Sequence, residues 1–344
     1  MRPTGQRRTS APKAWASSAP AASASVTPSR RGSGAGEVSL YDEVTQLIIT
    51  QLEGGRLPWV QPWDRAGGAA LSLPRNGVTG RRYSGVNILL LWGAVIEHGY
   101  PSQGWLTFKQ ALAAGGCVRK GERGTTVVYA DRFTPRAEQE RAARDGDEPG
   151  KVAFLKRFTV FNLAQCEGLD SADPEPAPLP ERQVVPHAEA LIAATGADFR
   201  VGGNMAFYSP SHDFVQVPPQ PAFGDQINYY RTAFHELSHW TGHGSRLDRD
   251  QSGVRGGKAY AREELVAEMG AAFVCASLGI VPTVRHADYI GSWLEVVRED
   301  NRAIFRAASQ ASKAADVLLA FRPDAAPLAA DRVSVAAQDR ELVA

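Results

Sequence analysis

Cysteine is scarce in this chain. Cys117, Cys166 and Cys275 are odd in number and widely spaced. They fit neither a disulfide framework nor a Cys-x-x-Cys zinc knuckle, and they favour a reducing compartment. Long apolar runs are missing too. The longest, Val86 to Ile96, falls far short of the roughly 20 residues needed to cross a bilayer. No membrane partner is therefore expected, and the cytoplasm is the expected location. No repeat period is visible, which excludes solenoid, collagen-like and coiled-coil architectures. Residues 1–36 lack any acidic residue and any Ile, Leu or Phe. Such a segment cannot bury enough apolar surface to offset its ordering entropy. It also lacks the apolar core of a secretory signal, and its Pro and Gly spoil the amphipathic helix of a transit peptide. A disordered basic tail is the expectation for 1–36.

What remains is ample for folding. The chain has 344 residues, 43% of them hydrophobic, which suggests two globular units rather than one. The formal net charge of +1 hides a division. Residues 1–36 carry six basic residues and no acidic ones, and 37–165 carry 16 basic and 13 acidic. Residues 166–344 carry 16 basic and 24 acidic. A basic front joined to an acidic back points to a polyanionic partner for the front.

Apolar spacing predicts a helix over Leu40 to Leu52, another over Asn87 to His98 and a short one over Thr107 to Ala114. Pro58 to Trp63 reads as an extended aromatic segment. Strands are predicted over Thr125 to Ala130 and Val152 to Phe161, with an exposed loop from Pro135 to Gly150 between them. Five prolines between Glu167 and Pro186 mark a semi-rigid spacer. The second unit should open with a helix near Ala188 and a hairpin or edge strand over Ala206 to Val217. Helices over about 226–243, 258–278 and 287–320 follow. The expected organisation is a front domain at 37–169, a linker at 170–186, a back domain at 187–322 and a flexible tail at 323–344. The expected class is α+β, with a mostly helical back domain containing a small sheet.

The sharpest motif is His235-Glu236-Leu237-Ser238-His239. On a helix, His235 and His239 leave one face and can share a Zn²⁺ ion, and Glu236 can take a proton from water activated there. Ile227, Tyr230, Phe234, Leu237 and Thr241 supply the apolar stripe of such a helix. A third ligand is needed. Glu264 is the first choice, with Glu268 four residues on orienting a ligand histidine from behind. His243, Glu263 and Glu268 are the rivals for the ligand position, and Glu263 also reads as a solvated residue. His243, Tyr260 and Tyr208 are further candidates to stabilise an oxyanion.

The front mixes cations with aromatics. Arg81, Arg82, Lys109, Arg119 and Lys120 alternate with Trp59, Trp63, Tyr83, Trp105 and Phe108, and Asn87 lies in the same stretch. Basic groups tracking phosphates and aromatics stacking on bases suit single-stranded nucleic acid. Trp92, inside an apolar helix, reads as core.

Both halves resemble one known family. Leu52-Glu-Gly-Gly-Arg-Leu-Pro-Trp59, Asn76-Gly-Val-Thr-Gly-Arg-Arg-Tyr-Ser-Gly-Val-Asn87, Trp105-Leu-Thr-Phe-Lys-Gln110 and Phe161-Asn-Leu-Ala-Gln-Cys-Glu-Gly-Leu169 resemble the front of ArdC-type antirestriction proteins. Ala206-Phe-Tyr-Ser-Pro210, the His235 to His243 segment and Glu263-Glu-Leu-Val-Ala-Glu268 resemble the zincin-like metallopeptidase domain of the same family. The resemblance implies a mobile-element protein that protects incoming DNA, binds single-stranded DNA at its front and hydrolyses peptide bonds of an unidentified protein substrate at its back. It also implies Zn²⁺ held by His235, His239 and Glu264, with Glu236 as catalytic base and Glu268 behind. Two other readings stay open: a DNA-shielding protein with a structural zinc site, and a zincin regulator acting on one host protein.

Overall fold

A computed structural model describes residues 39–60, 72–169, 185–281 and 290–322. The basic tail, Trp63, nearly all of the proline-rich spacer and the segment 323–344 lie outside the described residues.

Helix α1 (Leu40–Glu53) begins at Ser39, which forms a reciprocal capping box with Asp42. It buries Val44, Ile48, Ile49 and Leu52 and stops at a Gly-Gly pair whose second member, Gly55, has φ +69°. Strand β1 (Arg75–Asn76), helix α2 (Val86–His98), strand β2 (Gly104–Leu106), helix α3 (Phe108–Ala113) and strand β3 (Cys117–Val118) follow. Strands β4 (Thr125–Phe133) and β5 (Val152–Asn162) form a long hairpin, and β6 (Cys166–Glu167) pairs with β3. The main sheet has the order β1-β2-β5-β4, with β1 parallel to β2 and the other pairs antiparallel.

The segment expected as an exposed loop instead holds helix α4 (Arg136–Asp145) near the tip of this hairpin. It holds no apolar residue larger than Ala, and Ala142 is its one buried residue. Its stability is local. Ala, Glu and Arg are strong helix formers, Arg136 pairs with Glu140, Arg141 pairs with Glu138 and Asp145, and Gly146 closes the end in the left-handed region.

The back opens with α5 (Pro186–Ala194) and three strands, β7 (Asp198–Val201), β8 (Phe207–Ser209) and β9 (Phe214–Val217). Their order is β7-β9-β8, which leaves β8 at an edge. Helices α6 (Ile227–Trp240), α7 (Lys258–Ser277), α8 (Ile290–Glu299) and α9 (Ala303–Ala320) complete the described chain. Gly270 lets α7 approach α6 closely: a Cβ there would stand 2.7 Å from Ser238 Oγ. The single helix expected over 287–320 is broken at residues 300–302. Asp300 accepts the Arg302 backbone N–H, and the Asn301 carbonyl accepts the Thr45 hydroxyl of α1 at 2.7 Å. A docking contact thus replaces a helical turn.

The hydrophobic core runs without interruption through both halves. Trp92 of α2 meets Phe273 of α7 edge to face at 5.7 Å, and the Gly85 N–H at the start of α2 donates to Ser312 Oγ on α9.

Candidate metal centre

Helix α6 is buried on nearly every face, so its polar side chains must be satisfied from within the protein. His235 and His239 sit one turn apart with their Nε2 atoms 3.2 Å from each other. Glu264, reaching across from α7, brings Oε2 to 3.6 Å from His235 Nε2 and Oε1 to 3.4 Å from His239 Nε2. A tetrahedral ion with bonds of about 2.0–2.2 Å requires ligand separations of about 3.3–3.6 Å. The imidazole–imidazole spacing is slightly shorter than this and the two Glu264 spacings run from different carboxylate oxygens, so the three groups converge on one point without forming a regular tetrahedral face. Among the described residues, these three form the one His/Cys/Asp/Glu group close enough to hold an ion.

Each imidazole is also held from behind. His235 Nδ1 lies 3.3 Å from Glu268, which is itself ion-paired to the buried Arg231. His239 Nδ1 lies 3.1 Å from Glu263, which receives Arg249 at 2.7 Å and Gln251 at 3.2 Å. A carboxylate at Nδ1 keeps a proton there and would leave the Nε2 lone pair for a metal ion. Glu263 is therefore neither a solvated residue nor a rival ligand. Its burial is imposed by the crossing of α7 over α6 and compensated by His239 and Arg249. Arg231 and Arg249 are not singled out by the sequence. Arg231 stands four residues before His235 on the same helical face, a signal that spacing could have supplied; Arg249, in a polar loop, leaves none.

The electrostatics follow from this density of acids. Burial alone would lower the His239 pKa, but hydrogen bonds to Glu263 and Glu264 outweigh it and raise it to about 9. Burial would likewise raise Glu264, yet its contacts with both imidazoles hold it well below the usual carboxylate range. Glu236 has no such compensation: burial pushes its carboxyl up, only partly opposed by the two histidines.

The remaining candidates divide. Glu236 accepts a hydrogen bond from the Tyr208 backbone, so edge strand β8 runs beside it. The Tyr208 hydroxyl points elsewhere, donating to Asp213 at 2.8 Å, and Asp213 also pairs with Arg246. His243 lies beyond the end of α6, hydrogen-bonded to Ser245 at 2.8 Å and outside the ligand group. Its place in the i, i+4, i+8 row is lost because the helix stops at Trp240. Tyr260 lies one turn before Glu264 on α7 and shares its face.

Two family models match the chain. The N-terminal domain of anti-restriction factor ArdC matches residues 38–161, and a zincin-like metallopeptidase matches residues 186–310. The metal-free crystal structure of ArdC from plasmid R388 is 40% identical, with a TM-score of 0.70, across 83% of this chain and 98% of that one. Its Mn(II)-bound form is 39% identical with a TM-score of 0.68. An uncharacterized protein, y4eC of Sinorhizobium fredii, is 42% identical over 83% of this chain and 93% of its own length. The chain belongs to the ArdC family of antirestriction proteins. DNA primase TraC of Escherichia coli is 40% identical over 298 residues, but this ArdC-family chain spans only 27% of TraC.

The front residues of this ArdC-family protein require corrections. Trp59 and Trp105 are 2% and 0% exposed, so neither can stack on a base. Trp59 packs edge to face on Trp293 and Trp105 on Tyr100, which holds both indoles inside the core. Asn87 bonds the Val128 backbone in both directions at 2.8 Å, pinning α2 to β4, and lies in the lining of the cleft formed by Arg81, Arg82 and Tyr83. Arg119 is engaged by Glu122 and the Ala164 carbonyl. Phe108, Lys109 and Lys120 are exposed around α3. Arg81, Arg82 and the half-buried Tyr83 line a separate cleft. Among the described residues, no helix is long and apolar enough to cross a membrane.

Proposed function

We propose that this protein is a metal-dependent peptidase coupled to a front that binds single-stranded DNA. The observation carrying the peptidase reading is the convergence of His235, His239 and Glu264, whose ligand atoms lie within 4.8 Å of one another, with Glu236 next to His235 on the same helix. Two nitrogens and one carboxylate oxygen suit Zn²⁺ above Mn²⁺ in the usual affinity order. The Mn(II)-bound R388 structure makes manganese the competitor to test.

When bound, the ion supplies Lewis-acid activation of water and of a scissile carbonyl. The chain's own residues supply the rest. Edge strand β8 offers backbone groups to an extended peptide and lays it alongside Glu236. The raised pKa of Glu236 suits a base that takes a proton from attacking water and returns it to the leaving amine. Tyr260, on the Glu264 face of α7, is the oxyanion donor this reading favours.

Glu236→Gln separates this reading from a structural zinc site. The variant should keep its metal and lose hydrolysis of a peptide library. Wild-type protein that binds metal yet cleaves nothing would leave the non-proteolytic, DNA-shielding reading. In a restriction-protection assay, unchanged protection by Glu236→Gln would separate proteolysis from antirestriction. For the front, support comes from the exposed cations and aromatics and from the ArdC and TraC relatives. Binding should prefer single strands over duplex and weaken as salt rises.

A further inference from the structure

A cleft of about 570 Å³ lies where the front meets the last helix. Its cations are Arg81 and Arg82 from the loop before α2, and Lys313 from α9. Its aromatic walls are Tyr83, Tyr129 and Phe158, the last two meeting edge to face at 6.5 Å across the β4–β5 hairpin. Asp316 is the one acidic residue in this lining. Burial lowers the Arg82 pKa, with Arg322 and Arg75 adding to it as like charges and Asp316 opposing them; arginine nevertheless stays charged. Crowded cations beside flat rings form a site for a chain of phosphates and unpaired bases. The volume lies within the range of small-molecule sites and accommodates a nucleotide or two.

We infer that single-stranded DNA passes through this cleft and that α9 completes the binding site, with Lys313 contacting a phosphate opposite Arg81 and Arg82. The inference rests on the single-strand reading above and adds where the strand lies and which residues hold it. Lys313 lies beyond both family-matched segments, which end at residues 161 and 310. The front alone would therefore present only one wall of the site. Ser312 ties that wall in place by accepting the Gly85 N–H at 2.9 Å. A base in duplex DNA is stacked and paired and cannot enter, so the cleft also accounts for the preference between strands.

The test is fluorescence anisotropy of labelled oligothymidylate and of a duplex of equal length, using the full chain. Lys313→Glu should weaken single-strand binding about tenfold, and Lys313→Gln should reduce the salt slope of log K by about 0.7, the value for one lost phosphate contact on a single strand. The Arg81→Ala/Arg82→Ala double variant should lose affinity as well. Melting temperature and metal content serve as folding controls. Wild-type affinity and slope in both Lys313 variants would overturn the placement of the strand. Wild-type protein that ignores oligothymidylate, or binds duplex equally well, would overturn the single-strand reading beneath it.

Discussion

Glu263 Oε1 lies 3.1 Å from His239 Nδ1, on the opposite side of the imidazole from Glu264. The ring is clamped between two carboxylates, one positioned to share the ion and one positioned to steer the ring. Glu263→Ala should therefore lower metal affinity by about 10–100-fold without removing a ligand. Competition with a chromogenic chelator reads this directly. It should also strand the buried Arg249, so a lowered melting temperature should accompany the lost affinity.

The choice of third ligand has its own test. Glu264→Ala should leave the purified protein without stoichiometric metal, whereas His243→Ala should retain it. Elemental analysis after dialysis distinguishes them. Metal retained in Glu264→Ala and lost in His243→Ala would reverse the assignment.

Proton linkage should be visible in metal uptake. His239 titrates near about 9 in the ion-free protein, so it is protonated at neutral pH. Only the neutral imidazole can ligate, hence an ion must displace that proton. Apparent affinity should rise with pH up to at least about 9, since His235 is raised as well and must also lose its proton to ligate. Calorimetry in buffers of different ionisation enthalpy measures the protons released. No proton release at about pH 7 would contradict the raised value.

Trp59 and Trp293 meet edge to face at 5.3 Å, one from each half of the chain. Trp59→Ala should cost about 3–5 kcal/mol. It should lower the melting temperature of the whole described chain in one transition. Two separate transitions, with the metal-binding half unaffected, would mean that the contact carries no cooperativity.

Most of the candidate centre's geometry is legible in the sequence because helical spacing alone aligns His235 with His239 and Glu264 with Glu268. What spacing does not reveal is which helix face turns inward. Glu263 looks solvated until α7 is seen crossing α6, and Arg249 is invisible because a loop carries it. In the front, composition indicates cations and aromatics but not exposure. Trp59 and Trp105 are core, whereas Tyr83, Tyr129 and Phe158 line a cleft. Helix α4 leaves no apolar signal because charge pairs stabilise it rather than a stripe of large buried side chains. The break at 300–302 escapes it because its cause, Thr45, lies 256 residues away.

The shared core has a consequence for how such genes can recombine. A breakpoint anywhere between Trp92 and Phe273 would pull apart both interlocked aromatic pairs and leave apolar surface bare on each fragment. Neither half is then a free module for shuffling. In the much longer TraC the similarity likewise runs through 298 residues spanning both halves. Grafting one half without the other would yield an insoluble product rather than a simpler protein.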